Sequence, residues 1–145
     1  MTSNFDLYKL ARRNGFGVLI VTRDDLPYLR DRHREKNQNI IINMDVNGQT
    51  HWTCLHVNQG KAFYFDSFAV EPPTNILHYT KKIPLSVNNI RIQDLKSVMC
   101  GQYCIYVLKE LQHNQNQHKD IWKYVLRKFD KQNFKKNDDI VKNLI

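Results

Sequence analysis

The sequence predicts an α+β domain in which a small mixed or antiparallel sheet packs on a central helix, with further helices on its flanks. Its length of 145 residues suits one core, so we expect residues 1–145 to form a single domain. Short segments rich in β-branched and aromatic residues alternate with turn residues over the first two thirds of the chain. From Cys100 onward the apolar residues change to helical spacing.

Turn residues and apolar runs define the predicted strands. The polar segment 24–39 lies between the first two strands, and we expect it to be a loop with one helical turn. Pro72 and Pro73 end the fourth strand, because proline cannot donate to a sheet ladder. The predicted strands lie near residues 17–22, 39–45, 50–57, 61–68 and 84–92.

Capping residues and 3.6-residue periodicity define the predicted helices. Ser3 or Asn4 can cap a first helix that Asn14 and Gly15 end, and Thr74 can cap a short helix after the proline pair. The central helix starts at Cys100 and places its apolar residues on one face. Two further helices are predicted around residues 121–129 and 138–145.

The third and fourth strands form a predicted hairpin that brings two polar side chains together. With Gln59 and Gly60 at the centre of the turn, Thr53 lies opposite Asp66. Asp66 is then diagonal to His51 on the same face, about 7 Å away between backbones. We therefore expect His51 and Asp66 to be within reach of each other.

The segment "HWTCLH" has the composition of a zinc site but not its geometry. Strand alternation points His51 away from Cys54 and His56, which face the opposite side of the sheet. A second Cys-x-x-Cys pair that would complete a tetrahedral site is missing from the sequence. We therefore expect the chain to bind no metal.

The three cysteines differ in their predicted environments. An odd, small number indicates free thiols in a reducing compartment. Cys54 and Cys104 are predicted to be buried as small apolar residues. Cys100 begins a helix, where unpaired N–H groups and the helix dipole favour a thiolate, and Gly101 beside it would let a substrate approach closely. Taken alone, Cys100 fits both a core position and a nucleophile.

The net charge of +8 makes nucleic acid a second candidate partner, although a solvated basic surface explains the charge equally well. No apolar run is long enough for a membrane span, and the N-terminal residues lack the apolar stretch of a secretory signal, so we expect no membrane partner and no secretion. The basic residues gather in 30–36, 12–13, 81–82 and 119–136.

Four residues, in order, carry a resemblance to a known family. These are His51 followed by Trp52, the acidic Asp66 in "YFDSF", Gln93, and Cys100 in "CGQYC". The order His, acid, Gln, Cys resembles the adenovirus protease (adenain) group of cysteine proteases, whose wider relatives include the SUMO-specific proteases. The segments "IINMDVNGQTHW" and "YFDSFAVEPPTNI" are also similar to proteases of Polinton/Maverick elements and virophages. The resemblance runs from about residue 17 to residue 111.

The resemblance implies a papain-like fold and a role for each residue. Cys100 would be the nucleophile, His51 the general base and acid, and Asp66 the acceptor that orients the imidazole. Gln93 would donate to the oxyanion together with the backbone N–H of Cys100. Asp66 departs from the adenovirus enzyme, which has Glu there, and agrees with the SUMO proteases. Trp52 could shield the catalytic pair from water or simply fill the core.

The resemblance also implies a biological role. We expect a viral maturation protease that cleaves a capsid or virion precursor at Gly-containing sites, in the virion and the host cell cytoplasm. One alternative is an isopeptidase that removes a ubiquitin-like modifier. Another, of a different class, is a basic nucleic-acid-binding module without activity. The adenovirus protease uses DNA and a peptide as cofactors. Here the charge would permit DNA, and no motif indicates a peptide, another cofactor or an oligomeric state.

Overall fold

A computed structural model of the chain describes residues 2–33, 37–45, 50–114 and 119–145. The predictions for residues 46–49 and for the last three positions of the basic stretch 30–36 lie outside the described residues. Within the described residues, one mixed sheet has the strand order β1-β2-β3-β4-β5. Its strands are β1 (Leu19–Thr22), β2 (Gln38–Asn43), β3 (Trp52–Asn58), β4 (Lys61–Phe65) and β5 (Leu85–Val87).

The helices of the described residues surround this sheet, and the longest of them packs on β3. A capping box between Ser3 and Asp6 starts the first helix, and Asn14 ends it, as predicted. The helices are α1 (Asn4–Arg13), α2 (Leu26–His33), α3 (Thr74–Tyr79), α4 (Cys100–Asn114), α5 (Ile121–Val125) and α6 (Asn137–Leu144).

The sheet is parallel at its two edges and antiparallel in its centre. β1 pairs with β2, and β4 with β5, in parallel, whereas β2–β3 and β3–β4 are antiparallel. The predicted α+β class, a small mixed sheet on a central helix with flanking helices, is confirmed.

The β3–β4 hairpin has the predicted register. Gln59 and Gly60 both have positive φ angles, 52° and 74°, which matches the right-handed twist of the flanking strands. Cys54 pairs with Phe65, so Thr53 would face Asp66 one position further along. The alternation of side chains therefore follows the sequence prediction.

Each face of the sheet is covered by its own apolar cluster. On one face, Trp52, Cys54 and Phe65 pack with the buried side of α4. On the other face, Leu55 and Val57 pack with residues of α2 and α3. The helix that begins at Cys100 is thus held against the centre of the sheet, which fixes the position of its first turn.

The polar segment 24–39 is more helical than predicted. Arg23–Asp25 forms a 3-10 turn that leads directly into α2, and Leu26 at the junction is fully buried. Pro27 follows at the start of α2, where its missing N–H costs nothing. The prediction of a loop was wrong because two leucines, the buried Leu26 and the partly buried Leu29, attach this helix to the core without a longer periodic apolar stripe.

Other predicted boundaries were also wrong. The fourth strand, predicted over 61–68 and ended by Pro72 and Pro73, already ends at Phe65. Pro73, not Thr74, is the N-cap of α3, and it makes no side-chain cap. The strand predicted over 84–92 ends at Val87. The backbone N–H of Asn88 still donates to the carbonyl of Tyr64, and beyond this bond the Asn88 side chain, not the backbone, pairs with Asp66. The predicted helix over 121–129 ends at Val125, although its later apolar residues remain buried in turns.

Within the described residues, no helix is both long enough and apolar enough to cross a bilayer.

Candidate active site

The predicted site residues meet at one edge of the sheet. β3 begins at Trp52 and β4 ends at Phe65, and in an antiparallel pair these two ends lie at the same edge. His51 immediately precedes β3, and Asp66 immediately follows β4. Cys100 starts α4 beside them, and all three line a cleft of about 940 Å³.

His51 and Asp66 are in direct contact. Nε2 of His51 lies 3.1 Å from Oδ1 of Asp66, and the imidazole also packs on the ring of Phe68 with centroids 5.3 Å apart. The backbone N–H of Phe68 donates to the same carboxylate oxygen at 2.8 Å. The Asp66 side chain is 4% exposed and that of His51 is 18% exposed, so water screens the pair only weakly.

Cys100 contacts the other side of the imidazole. Because Asp66 engages Nε2, the remaining ring nitrogen of His51 is the one available for its hydrogen bond with the Cys100 thiol. The backbone N–H of Trp52 donates to Sγ of Cys100 at 3.4 Å. The first N–H groups of α4 have no partner within the helix and add a positive potential at the sulfur.

The pKa of His51 reflects this position. Burial alone would lower it, since the charged imidazolium loses hydration. The hydrogen bonds to Asp66 and Cys100, and the electrostatic interaction with these two groups, outweigh burial and raise the pKa of His51 from 6.5 to about 9. The imidazole is therefore protonated at neutral pH and can balance a thiolate at Cys100.

Asn88 and Ser67 hold the segment that carries Asp66, and sequence reasoning missed both. The Asn88 amide accepts from the backbone N–H of Asp66 and donates to its carbonyl, both at 2.9 Å. The backbone carbonyl of Ser67 accepts from the N–H groups of Ile92 and Gln93. The partners of these bonds are more than twenty residues apart in sequence, so no local pattern could have indicated them.

Gln93 lies on the same cleft, but its amide is already engaged. Its side chain is almost fully buried, and its Oε1 accepts a hydrogen bond from the Ser67 hydroxyl. Nε2 donates to the carbonyl and to the hydroxyl of Ser97, each at 3.1 Å. The structure thus places His51 in contact with both Asp66 and Cys100, and it places Gln93 on the same cleft with both N–H groups directed at Ser97.

Gly101 serves the packing of the protein rather than the approach of a substrate, so that expectation was wrong. A Cβ at this position would lie 2.8 Å from Cδ2 of Leu7 on α1 and 3.3 Å from Cδ1 of Trp52. The absence of a side chain lets α1 and the tryptophan close on the first turn of α4. Trp52 is itself buried and also lines the cleft, so both roles considered for it are compatible with its place.

Cys54 and Cys104 are free and buried, as predicted. Burial, followed by the contact with Cys54, raises the pKa of the Cys104 thiol, which keeps it neutral. In the part of the chain that the structure describes, no group of three or more His, Cys, Asp or Glu side chains could hold a metal ion.

Known proteins share this fold at low sequence identity. No protein-family model and no curated protein match the chain. A crystal structure of the ASFV pS273R protease superposes with a TM-score of 0.53 and 15% identity, over 74% of this chain and 55% of that one. Its selenomethionine form gives a TM-score of 0.55 and 15% identity, over 88% and 66%. AvrA delL154 with IP6 and CoA gives 0.52 and 17%, over 73% and 47%.

This likeness shows the fold. The chain spans about half to two thirds of the length of these proteins. The predicted papain-like fold of the adenain type is confirmed by the match to a viral protease. The closer grouping with Polinton and virophage proteases stays a prediction.

Proposed function

We propose that this chain is a cysteine endopeptidase in which Cys100 is the nucleophile, His51 the general base and acid, and Asp66 the residue that orients the imidazole. One observation carries the proposal: the imidazole of His51 lies between a buried carboxylate and a thiol at a helix N-terminus, on the wall of an open cleft. Each group has the neighbour that its role in acyl transfer requires.

The first half of the reaction acylates Cys100. The thiolate attacks the carbonyl carbon of the scissile peptide bond, and the carbonyl π electrons move to oxygen. When the tetrahedral intermediate collapses, the C–N bond breaks and the imidazolium of His51 gives its proton to the leaving amine. The carboxylate of Asp66 stabilises the imidazolium until that transfer.

The second half releases the acyl group. The now neutral His51 takes a proton from a water molecule, whose oxygen attacks the thioester carbonyl. Collapse of the second intermediate breaks the C–S bond, frees the carboxylic acid product and returns Cys100 as a thiolate. His51 again holds the proton, so the enzyme regains its starting state.

The oxyanion would be held by the backbone N–H of Cys100 and by the amide of Gln93. The N–H of Gln93 that points at the Ser97 carbonyl can turn toward an oxyanion, because a charged oxygen is a stronger acceptor than a neutral carbonyl, while the bond to the Ser97 hydroxyl remains. Donors of this kind contribute about 3 kcal/mol each in acyl-transfer enzymes.

For the substrate, we propose a virion or capsid precursor protein cut at Gly-containing sites. The fold shared with a viral protease supports this assignment, as does a cleft open enough to take an extended chain. A nucleic-acid partner for the basic surface stays a prediction. Incubation with the structural proteins encoded beside this chain, followed by sequencing of the cut ends, would identify the natural sites.

Thiol labelling and peptide hydrolysis together test the proposed activity. We expect iodoacetamide to label Cys100 rapidly below neutral pH, and this rate to fall to that of an ordinary thiol in His51→Ala. The wild type should also hydrolyse a fluorogenic peptide with a Gly-Gly-Ala junction. Slow labelling of all three cysteines together with salt-sensitive DNA binding would instead favour the non-enzymatic module.

A second substrate separates the peptidase from the isopeptidase. A ubiquitin-like protein fused through a Gly-Gly tail offers the same junction on a folded partner. Cleavage of the peptide at a rate comparable to the fusion supports the endopeptidase. Cleavage of the fusion alone would replace it with the isopeptidase, while leaving the roles of Cys100 and His51 unchanged.

A further inference from the structure

The C-terminal helix α6 sends two polar side chains toward the segment that joins Gln93 to Cys100. Asn137 is fully buried, and Asp138 follows it with a partly buried carboxylate. Neither residue figures in the reaction described above. The hydrogen bonds of Asp138 nonetheless lead through Ser97 to the side-chain amide of Gln93, and Asn137 binds the carbonyl of Ile92, the residue before Gln93.

Asp138 binds two hydroxyl groups through one oxygen. Its Oδ1 accepts from the Ser97 hydroxyl and from the Tyr103 phenol, each at 2.8 Å. Burial, and next the bond to Asp138, raise the pKa of Tyr103, so the phenol keeps its proton and donates it. Charged acceptors make stronger and more directional hydrogen bonds than neutral ones.

The hydrogen bond to Asp138 determines which hydrogen bonds the Ser97 hydroxyl can make with its other neighbours. A serine hydroxyl has one proton to donate, and here Ser97 donates it in a hydrogen bond to the Asp138 carboxylate. Its lone pairs must then face donors, and they accept from Nε2 of Gln93 at 3.1 Å and from the backbone N–H of Met99 at 3.2 Å. The same hydroxyl therefore orients the Gln93 amide and the residue that immediately precedes Cys100.

A second clamp fixes α6 to this segment. The Asn137 amide donates to the carbonyl of Ile92 at 2.7 Å and to that of Asp130 at 2.8 Å. Its oxygen accepts from the backbone N–H of Asp130 at 2.8 Å. The amide of this buried side chain thus bonds on both sides, and it holds the start of α6 next to the residue that precedes Gln93.

We infer that Asp138 is a positioning residue for the oxyanion site: its carboxylate orients the Ser97 hydroxyl, which in turn holds the Gln93 amide beside Cys100. The inference rests on the proposed peptidase function. Ser97 lines the cleft, and Asp138 reaches it through Ser97. Asp138 therefore acts on the transition state through its neighbour.

The test separates oxyanion stabilisation from thiolate formation. Alkylation of Cys100 by iodoacetamide develops no oxyanion, whereas peptide hydrolysis does. A peptide aldehyde adds the sulfur to its carbonyl carbon, and its oxygen occupies the oxyanion site. In Asp138→Ala we expect kcat for peptide hydrolysis to fall by about 10- to 100-fold and aldehyde binding to weaken by a similar factor, with KM and the alkylation rate within about twofold of wild type.

Two variants serve as controls. Asp139→Ala removes an exposed carboxylate one residue further along α6, and it should behave as wild type. Asp138→Asn keeps an acceptor oxygen in place without the charge, and it should recover part of the lost kcat. Thermal melting of each protein establishes that the assays are run on folded enzyme, and Asp138→Asn serves as the test if Asp138→Ala does not fold.

Each outcome bears on a different statement. If the wild type labels at Cys100 but hydrolyses no peptide or fusion, the proposed function fails, and this inference with it. If the wild type is active and Asp138→Ala stays within about twofold of it, the positioning role is overturned while the function stands. Equal losses in alkylation and hydrolysis would also overturn it, because they would show a general disturbance of the first turn of α4.

Discussion

Two cysteines one helical turn apart on α4 contact the same residue with opposite polarity. The backbone N–H of Trp52 donates to Sγ of Cys100, whereas the Cys104 thiol donates to the carbonyl of Trp52. A donor beside sulfur stabilises a thiolate, and an acceptor stabilises the neutral thiol. A single residue at the start of β3 thus presents a donor to one sulfur and an acceptor to the other.

The imidazole of His51 completes the difference between the two cysteines. Cys100 at the helix N-terminus reaches His51 and the cleft, while Cys104 is fully enclosed and carries a raised pKa. The helix dipole also weakens beyond the first turn. Position along one helix, rather than residue type, therefore separates the candidate nucleophile Cys100 from the core residue Cys104.

The largest predicted effect comes from removing each thiol in turn. Cys100→Ala should lower peptide hydrolysis by at least about 10⁴-fold, since the covalent intermediate can no longer form. Cys104→Ala should leave the rate within about threefold and lower the free energy of unfolding by about 1–2 kcal/mol through a small cavity. Steady-state kinetics and denaturant unfolding measure the two effects. An inactive but folded Cys104→Ala would contradict the assignment.

The second prediction concerns Asp66, which stabilises the charged imidazolium of His51; within the described residues, Cys104 has no such cation beside it. Asp66→Asn removes the largest contribution that raises the pKa of His51 to about 9. A raised pKa means that the charged form persists up to that pH, so the alkaline limb of kcat/KM should lie near pH 9 in the wild type and move toward 6.5 in the variant. We also expect a rate loss of about 10²-fold at the optimum.

The pH profile of kcat/KM, recorded for both proteins, checks this shift. An uncharged carboxamide of the same shape keeps the cleft intact, so the variant should bind substrate normally. An unchanged alkaline limb would mean that a group other than His51 controls it.

The smallest predicted effect concerns the contact that sets Trp52 against α4. Gly101→Ala places a methyl group against Leu7 and Trp52, and overpacking of this kind costs about 1–3 kcal/mol. The higher helix propensity of alanine stabilises the helix by about 1 kcal/mol, so we expect a net loss of about 1 kcal/mol in the free energy of unfolding.

Gly17→Ala is the matched control for this change, because a Cβ there meets no atom within 4 Å. Urea unfolding of the two variants compares them directly. If Gly101→Ala proved as stable as Gly17→Ala, the close packing of α1 on the first turn of α4 would be less restrictive than these distances indicate.

Much of the fold was predictable because its strands and turns are encoded locally. The turn at Gln59 and Gly60 and the alternation of apolar residues predicted the β3–β4 register. That register in turn predicted the proximity of His51 and Asp66, which the structure shows in contact. The helix α2 escaped prediction, because it is attached through the buried Leu26 and the partly buried Leu29, whose partners lie far away in the chain.

The surroundings of Gln93 show the limit of reasoning from sequence. The order of candidate residues indicated an oxyanion donor, but no pattern indicated that Ser67, Ser97 and Asp138 would hold its amide in place. Side-chain hydrogen bonds have no period along the chain, so they cannot be derived from spacing.

The approximate positions of the strands, the register of the β3–β4 hairpin and the helix start at Cys100 could be derived from the sequence, because they depend on neighbouring residues and local backbone preferences. The contact of Cys100 with the imidazole and the hydrogen-bond partners that surround Gln93 could be established only from the tertiary structure. These contacts depend on how α4 and α6 dock on the sheet, where hydrogen bonds join residues tens of positions apart.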